Sequence, residues 1–215
     1  MKILENKKKF NVRMKNNNYP NFEPNLGNLT HQIRKDYIEH FIKLGKLPED
    51  SFENEDIISL VASNDVTKPI YFWQLYSIAG EDNIHVLIKT FYEKIFNDTN
   101  SHWFRDEFVD SGPLEYHIRG QKRFWLDVMG AGKLYLGDEI KLYKKHKLVK
   151  NIMTSKGANK WMRHMNETII DMDKYFKYDE RILPCLTNFL EYFMEKYSIQ
   201  FDFNIYDKHT IKSKL

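Results

Sequence analysis

The sequence lacks the features that mark several broad classes of protein. Its single cysteine, Cys185, excludes an intramolecular disulfide and a cluster of thiolate metal ligands. No apolar run approaches the roughly 20 residues needed to cross a bilayer, and the first residues form no signal-peptide core. The 33 Lys and Arg residues nearly balance the 30 Asp and Glu residues, unlike a dedicated nucleic-acid binder. We therefore expect an intracellular protein, cytoplasmic or mitochondrial, with no transmembrane segment and no nucleic-acid partner.

The first third of the chain has an uneven pattern. Residues 1 to about 28 are polar and interrupted by Asn, Pro and Gly, which predicts an extended arm, with a disordered tail as the alternative. Apolar residues then recur at helical spacing over about 30–44, and a second short helix is predicted over about 56–62. We interpret residues 1–74 as an N-terminal extension.

Helical periodicity dominates the rest of the chain. Of its 215 residues 42% are hydrophobic and 15% aromatic, which suffices for a sizeable core. The apolar spacing predicts helices over 81–97, 114–129, 155–175 and 179–198. An aromatic patch at 102–108 and a looser, lysine-rich stretch before 150 lie between them. No hairpin signal is present, so the predicted fold class is all-α.

Four side chains in this region could carry chemistry, although each has an ordinary interpretation when taken alone. Tyr92 and Trp161 lie on apolar helix faces, where such residues usually belong to the core. His117 lies near the start of a predicted helix and by itself indicates a cap or a surface position. His146 by itself indicates a solvated basic face, and its neighbours include Lys144, Lys145 and Lys147.

The order and spacing of these residues resemble the truncated haemoglobins. Gly80, an acidic helix start and the pair Phe91-Tyr92 are similar to the opening of that family. His117, seven residues before Phe124-Trp125, resembles the distal-histidine spacing of the third truncated-haemoglobin group. The run Trp161-Met162-Arg163-His164-Met165 resembles the helix whose tryptophan donates to a bound ligand.

Two further matches complete the resemblance, which covers about 120 residues. Phe104 corresponds to the phenylalanine that packs on the haem face, with Phe108 as the alternative, and His146 falls at the proximal-histidine position. The chain departs from the family at Ala79, which replaces a glycine, and at Leu148-Val149, which replaces a Pro-Phe pair. A short insertion at about 152–157 is a third departure, and residues 1–74 match nothing in the family.

The resemblance implies a globin-like fold of the truncated, 2-over-2 helical type over residues 75–200, followed by a tail at 201–215. It implies haem b as cofactor, with His146 as the iron ligand. The implied cofactor-binding residues are Tyr92, Phe104, His117, Trp125, His146 and Trp161. The lysines near His146 are candidates to pair with haem propionates, a solvated basic face being the alternative.

The implied function is binding of dioxygen or nitric oxide in a polar distal pocket. Whether the protein is also an enzyme, with oxidative or nitric-oxide-detoxifying activity, stays open. The alternative is a globin-fold scaffold, with haem lost or not essential, within a larger assembly such as a mitochondrial membrane complex. In that interpretation residues 1–74 would bind the protein partners.

Overall fold

The computed structural model describes residues 27–47, 49–52, 70–137 and 151–205, and, between the last two ranges, residues 141, 143, 144, 146 and 149. In these ranges the chain forms helices and turns and no β-strand, so the expected all-α fold is confirmed. The α-helices are α1 (Asn28–Lys43), α2 (Leu75–Ala79), α3 (Glu81–Phe96), α4 (His102–Ser111), α5 (Leu114–Val128), α6 (Ser155–Phe176) and α7 (Ile182–Gln200). Short 3-10 helices occur at Glu49–Phe52 and Phe72–Gln74. The arm predicted over residues 1–26, the helix predicted over 56–62 and the end of the tail lie outside the described residues.

The helix boundaries follow the sequence signals closely, with one shift at the start of α7. Gly80 adopts a φ of 78°, a conformation that favours glycine, and lets the chain turn directly from α2 into α3. Helix α7 begins three residues later than expected because residues 177–181 form a turn. In this turn Asp179 accepts a hydrogen bond from the backbone N–H of Arg181 (3.0 Å) and forms a buried ion pair with its guanidinium (2.8 Å).

Helix α4 is the element that the periodicity did not reveal. The sequence indicates only an aromatic patch there, whereas residues 102–111 form a helix of ten residues. Phe104 is its buried residue, while Trp103 and Val109 are exposed. Because apolar side chains occur on both faces of this helix, the sequence shows no single apolar stripe at helical spacing.

Helix α3 lies at the centre of the fold and packs against α4, α5 and α6. Ion pairs at its two ends join it to neighbouring helices. The Lys122 ammonium lies 2.7 Å from the Glu81 carboxylate, and that of Lys94 lies 2.8 Å from Asp171. No helix among the described residues combines the length and the apolar character needed to span a bilayer.

Helix α1, although it belongs to the N-terminal extension, shares the hydrophobic core of the later helices. Ile33 is fully buried, and the ring of Tyr37 lies 5.1 Å from that of Phe72 and 5.2 Å from that of Tyr192 on α7. The Lys196 ammonium of α7 also reaches the Asp36 carboxylate at 2.9 Å. Helix α1 therefore covers one side of the helical core.

Candidate functional site

A cavity of about 640 Å³ lies between α3, α4, α5, α6, α7 and the segment that joins α5 to α6. This volume is within the range of about 300–1,000 Å³ that small-molecule and cofactor pockets occupy. All six residues that the sequence analysis singled out line it, namely Tyr92, Phe104, His117, Trp125, His146 and Trp161. Phe108, the alternative to Phe104, lines it as well. The structure thus brings together residues that are up to 69 positions apart in the sequence.

Tyr92 is held in its position by a partner on another helix. Its hydroxyl donates to the side-chain oxygen Oε1 of Gln121 on α5 (3.3 Å), and the tyrosine is buried. Burial raises the pKa of Tyr92 above its ordinary value, so the phenol keeps its proton. Gln121 also lines the cavity but was not recognised in the sequence. Its spacing of four residues from His117, which places both on one face of α5, is the signal that could have found it.

His117 is turned toward the backbone of α4. Its Nε2 lies 2.9 Å from the carbonyl oxygen of Phe108 and 3.4 Å from the hydroxyl of Ser111. Burial lowers the pKa of His117, and this outweighs the opposite effect of its backbone hydrogen bonds. The imidazole is therefore neutral at pH 7, and the contact with Phe108 assigns its proton to Nε2. In this arrangement the N–H of His117 is already used by a protein acceptor.

Trp161 on α6 is half-buried in the cavity wall. Its ring contacts that of Phe91 at a centroid distance of 4.8 Å, edge to face. Among the described residues, none accepts a hydrogen bond from its indole N–H, which therefore remains available as a donor. Gly157, one helical turn earlier, allows a close approach of the preceding loop. A Cβ atom added there would lie 1.9 Å from the carbonyl oxygen of Ile152.

A buried charged cluster stands behind Phe104. The Asp98 carboxylate accepts hydrogen bonds from Lys160 (2.5 Å) and from Nε2 of His164 (2.9 Å), and the His164 ring stacks on Phe104 with centroids 6.0 Å apart. Burial acts to raise the pKa of Asp98, but the bonds from Lys160 and His164 outweigh it and lower the value. The cluster fixes the end of α3 to α6 and supports the Phe104 side of the cavity.

His146 lies on the cavity wall, where it contacts aromatic residues at the end of α7. Its ring centroid is 4.7 Å from that of Tyr197 and 6.4 Å from that of Phe201. The imidazole is half-buried. Of the neighbouring lysines, Lys144 is exposed, and the side chains of Lys145 and Lys147 are outside the described residues.

The aromatic rings around the cavity form two separate networks. The first, here called the Tyr92 network, contains Phe91, Tyr92, Phe96, Trp103, Phe104, Phe108, Tyr116, His117, Trp161 and His164. The second, the His146 network, runs from His146 through Tyr197, Phe193 and Tyr192 to Tyr37 on α1. Phe124, which also contacts Tyr135, joins this network at Phe193. Both networks line the cavity, and among the described rings no contact joins them. The cavity thus has two walls of different origin.

Three exposed cationic side chains line the cavity. Arg119 and Arg123, one helical turn apart on α5, line it and are exposed, and Lys141 lines it from the joining segment. In the described part of the chain neither arginine has a carboxylate within ion-pair distance. Their i, i+4 spacing was visible in the sequence, but it does not by itself distinguish a rim from an ordinary solvated face.

One comparison with known proteins identifies a family for this chain. The sequence model of the bacterial-like globin family matches residues 74–195, which is more than half of the chain and includes all six cofactor-binding candidates of the sequence analysis. No curated protein and no solved structure matches. Globins commonly bind haem and gaseous ligands. The resemblance seen in the sequence is thereby confirmed at the level of the family: this chain belongs to the bacterial-like globins.

Proposed function

We propose that the cavity holds haem b and that the protein binds a diatomic ligand, dioxygen or nitric oxide. The observation that carries the proposal is the composition of the two walls. One imidazole, His146, lies in one aromatic network, and two donors, Tyr92 and Trp161, lie in the other, around a single cavity of about 640 Å³. Haem, when bound, supplies an iron centre that coordinates small gases and exchanges electrons.

The residues present fit such a group on chemical grounds. Haem needs one strong donor atom from the protein in an otherwise apolar slot, and His146 would supply an imidazole beside Tyr197 and Phe201. We assign iron ligation to this residue. Arg119 and Arg123 supply guanidinium groups for two carboxylates at the rim, where arginine binds in a bidentate manner. They are better placed for the propionates than Lys144, which does not line the cavity.

The opposite wall supplies hydrogen bonds to the ligand. The hydroxyl of Tyr92 donates to one acceptor at a time, so a ligand would compete with Gln121 for it, whereas Trp161 can donate without losing a described partner. Hydrogen bonds to a charged group contribute about 1.5–3 kcal/mol each. Two of them would slow dissociation by about 100-fold or more, at about 1.4 kcal/mol per factor of ten.

This arrangement favours holding a ligand over releasing it quickly. His117 forms part of the wall while its N–H remains with Phe108, and it becomes a third donor only when that bond breaks. A pocket that retains dioxygen or nitric oxide suits oxidative or nitric-oxide-detoxifying chemistry better than oxygen transport. Such turnover requires an external electron donor, which a partner protein or a small reductant would provide.

The visible spectrum of the full chain, purified after expression with a haem supply, tests the proposal. We expect a strong Soret band that shifts on addition of carbon monoxide to the reduced protein. A protein that folds with the expected helical circular dichroism yet shows no such band would overturn haem binding. That outcome, together with co-purification in a stable multi-subunit complex, would support the scaffold interpretation.

A further inference from the structure

The buried carboxylate of Asp127 connects two parts of the chain that have no sequence proximity. Asp127 lies in the last turn of α5 and is 1% exposed. Its oxygen Oδ1 accepts from the backbone N–H of Thr30 (3.3 Å), at the start of α1. The Thr30 hydroxyl lies 2.8 Å from Oδ1 and nearer still to the backbone carbonyl oxygen of Asp127, so the two oxygens share its one proton. Its oxygen Oδ2 accepts from the backbone N–H groups of Leu134 and Tyr135, both at 3.1 Å.

The α1 side of this connection is tightly packed. Thr30 is fully buried. A Cβ atom added to Gly27 would lie 2.3 Å from Oδ1 of Asp127, so the backbone itself approaches the carboxylate there. No cation among the described residues pairs with Asp127. The cost of burying its charge is therefore met by N–H and O–H donors from both sides, and losing either set leaves the carboxylate poorly solvated.

The other side of the connection is a cavity wall. Tyr135 is buried, its ring contacts that of Phe124 (5.8 Å), and both line the cavity. Leu136, the next residue, lines it too, and the segment continues toward His146. The position of residues 134–136 thus depends on bonds to Asp127, and Asp127 in turn depends on Thr30.

We propose that Asp127 is a positioning residue through which docking of α1 holds the 134–136 wall of the cavity in place. The N-terminal extension would then be needed to retain the cofactor, although no residue of α1 lines the cavity. This inference rests on the proposed function for its cofactor part only. The coupling between α1 and residues 134–136 is a property of the chain with or without haem.

The experiment perturbs α1 and reads the effect about 100 positions away in sequence. Thr30→Val removes the hydroxyl donor but keeps the shape, and Thr30→Ser keeps the donor. In amide hydrogen exchange of the cofactor-free full chain, we expect Thr30→Val to accelerate exchange at Leu134 and Tyr135 by about fivefold, the loss of one hydrogen bond. Thr30→Ser should restore most of the protection.

A second variant tests the carboxylate directly. Asp127→Asn keeps the size but replaces an acceptor by a donor, and we expect a larger acceleration at Leu134 and Tyr135 and, in the loaded protein, haem transfer to a scavenging apoglobin at least about fivefold faster. Asp110→Asn, at an exposed carboxylate on α4, is the matched control. If Asp127→Asn does not fold, the Thr30 pair alone decides.

Acceleration confined to α1 in Thr30→Val, with Leu134 and Tyr135 unchanged, would overturn the coupling. If exchange at Leu134 and Tyr135 accelerates as expected but neither the parent nor any variant binds haem, the positioning role stands and the proposed function fails. If haem binds but the exchange at residues 134–135 does not respond, the positioning role fails alone.

Discussion

The two aromatic networks that face the cavity differ in where their residues come from. The Tyr92 network is built from α3, α4, α5 and α6, all of which lie within the region matched by the bacterial-like globin family. The His146 network begins in the same region, at His146, but continues through Tyr197, Phe193 and Tyr192 to Tyr37 on α1. Helix α1 precedes the matched region.

This difference indicates that the two walls of the cavity depend on different parts of the chain. The wall that would contact a gaseous ligand is complete without the extension. The wall that carries the proposed iron ligand is supported by rings and, through Asp127, by hydrogen bonds that reach the extension. Changes in the Tyr92 network should therefore alter how a ligand is held, whereas changes in the His146 network should alter how the cofactor is held.

The largest effect is expected from removing His146, the residue proposed to hold haem iron. His146→Gly should lower haem affinity by at least about 100-fold, since even outer-shell partners of metal ligands are worth about 10- to 100-fold. Added imidazole should restore the Soret band by filling the space that the substitution leaves. His117→Phe is the matched control and should keep haem. Loss of ligation in the control and not in His146→Gly would show that the wrong histidine has been assigned.

The next largest effect is expected on the rate of ligand dissociation, with little change in haem affinity. Tyr92→Phe removes one hydroxyl donor from the other wall and should accelerate dioxygen dissociation by about 10- to 150-fold, equivalent to about 1.5–3 kcal/mol. Haem affinity should stay within about threefold of the parent. Stopped-flow displacement of dioxygen by carbon monoxide measures the rate. Tyr175→Phe, on α6 and outside the cavity lining, should leave it unchanged, and an equal change in both variants would contradict a role for Tyr92.

A substitution in α1 tests whether this helix supports the His146 network. Tyr37→Leu removes edge contacts to Phe72, Trp73 and Tyr192. At about 0.5–1.5 kcal/mol for each aromatic pair, it should lower the free energy of unfolding by about 1.5–4.5 kcal/mol. Haem should also be lost faster, with little change in ligand dissociation. Urea unfolding and haem transfer measure the two quantities. Phe96→Leu, in the Tyr92 network, should instead change the rate of ligand dissociation and leave the rate of haem loss nearly unchanged.

The smallest effect is a dependence of stability on pH within the Tyr92 network. Burial lowers the pKa of His164, and the hydrogen bond to Asp98 opposes this only in part. The unfolded chain then binds a proton more readily, so stability falls as pH drops below the ordinary histidine pKa of about 6.5 and is regained as pH rises above it.

His164→Gln keeps a donor for Asp98 but does not titrate, so the loss of stability between about pH 7.5 and 5.5 should become smaller. Urea midpoints at the two pH values provide the measurement. His31→Gln, at an exposed position on α1, is the control. A steeper dependence in His164→Gln than in the parent would contradict the assigned direction.

Much of the fold and of the candidate site could be predicted because their signals are local. The apolar stripe of α3 predicted both ends of this helix to within one residue. The ordered spacing of Tyr92, His117 and Trp161 singled out three residues that line one cavity. Helix α4 was missed because its apolar side chains lie on two faces. Gln121 was missed because a glutamine four residues from a histidine is common on any helix surface.

The role of α1 could not be predicted because it depends on contacts far apart in the sequence. Thr30 and Asp127 are 97 positions apart, and nothing in the pattern around either residue points to the other. In the sequence alone, an aspartate near the end of a predicted helix is an ordinary polar residue. Only the folded chain shows that its two oxygens serve two different segments.

The docking of α1 also has a consequence for the order of events during synthesis. Of the described helices, α1 leaves the ribosome first, yet Asp36 meets Lys196 only after 160 further positions have been made. Until α5, the helix against which α1 packs, has been made, the apolar face that contains Ile33 and Ile38 lacks that cover, and contacts of such long range form slowly. We therefore expect the newly made protein to need protection from aggregation, and the proposed haem to bind only after α7 has been released.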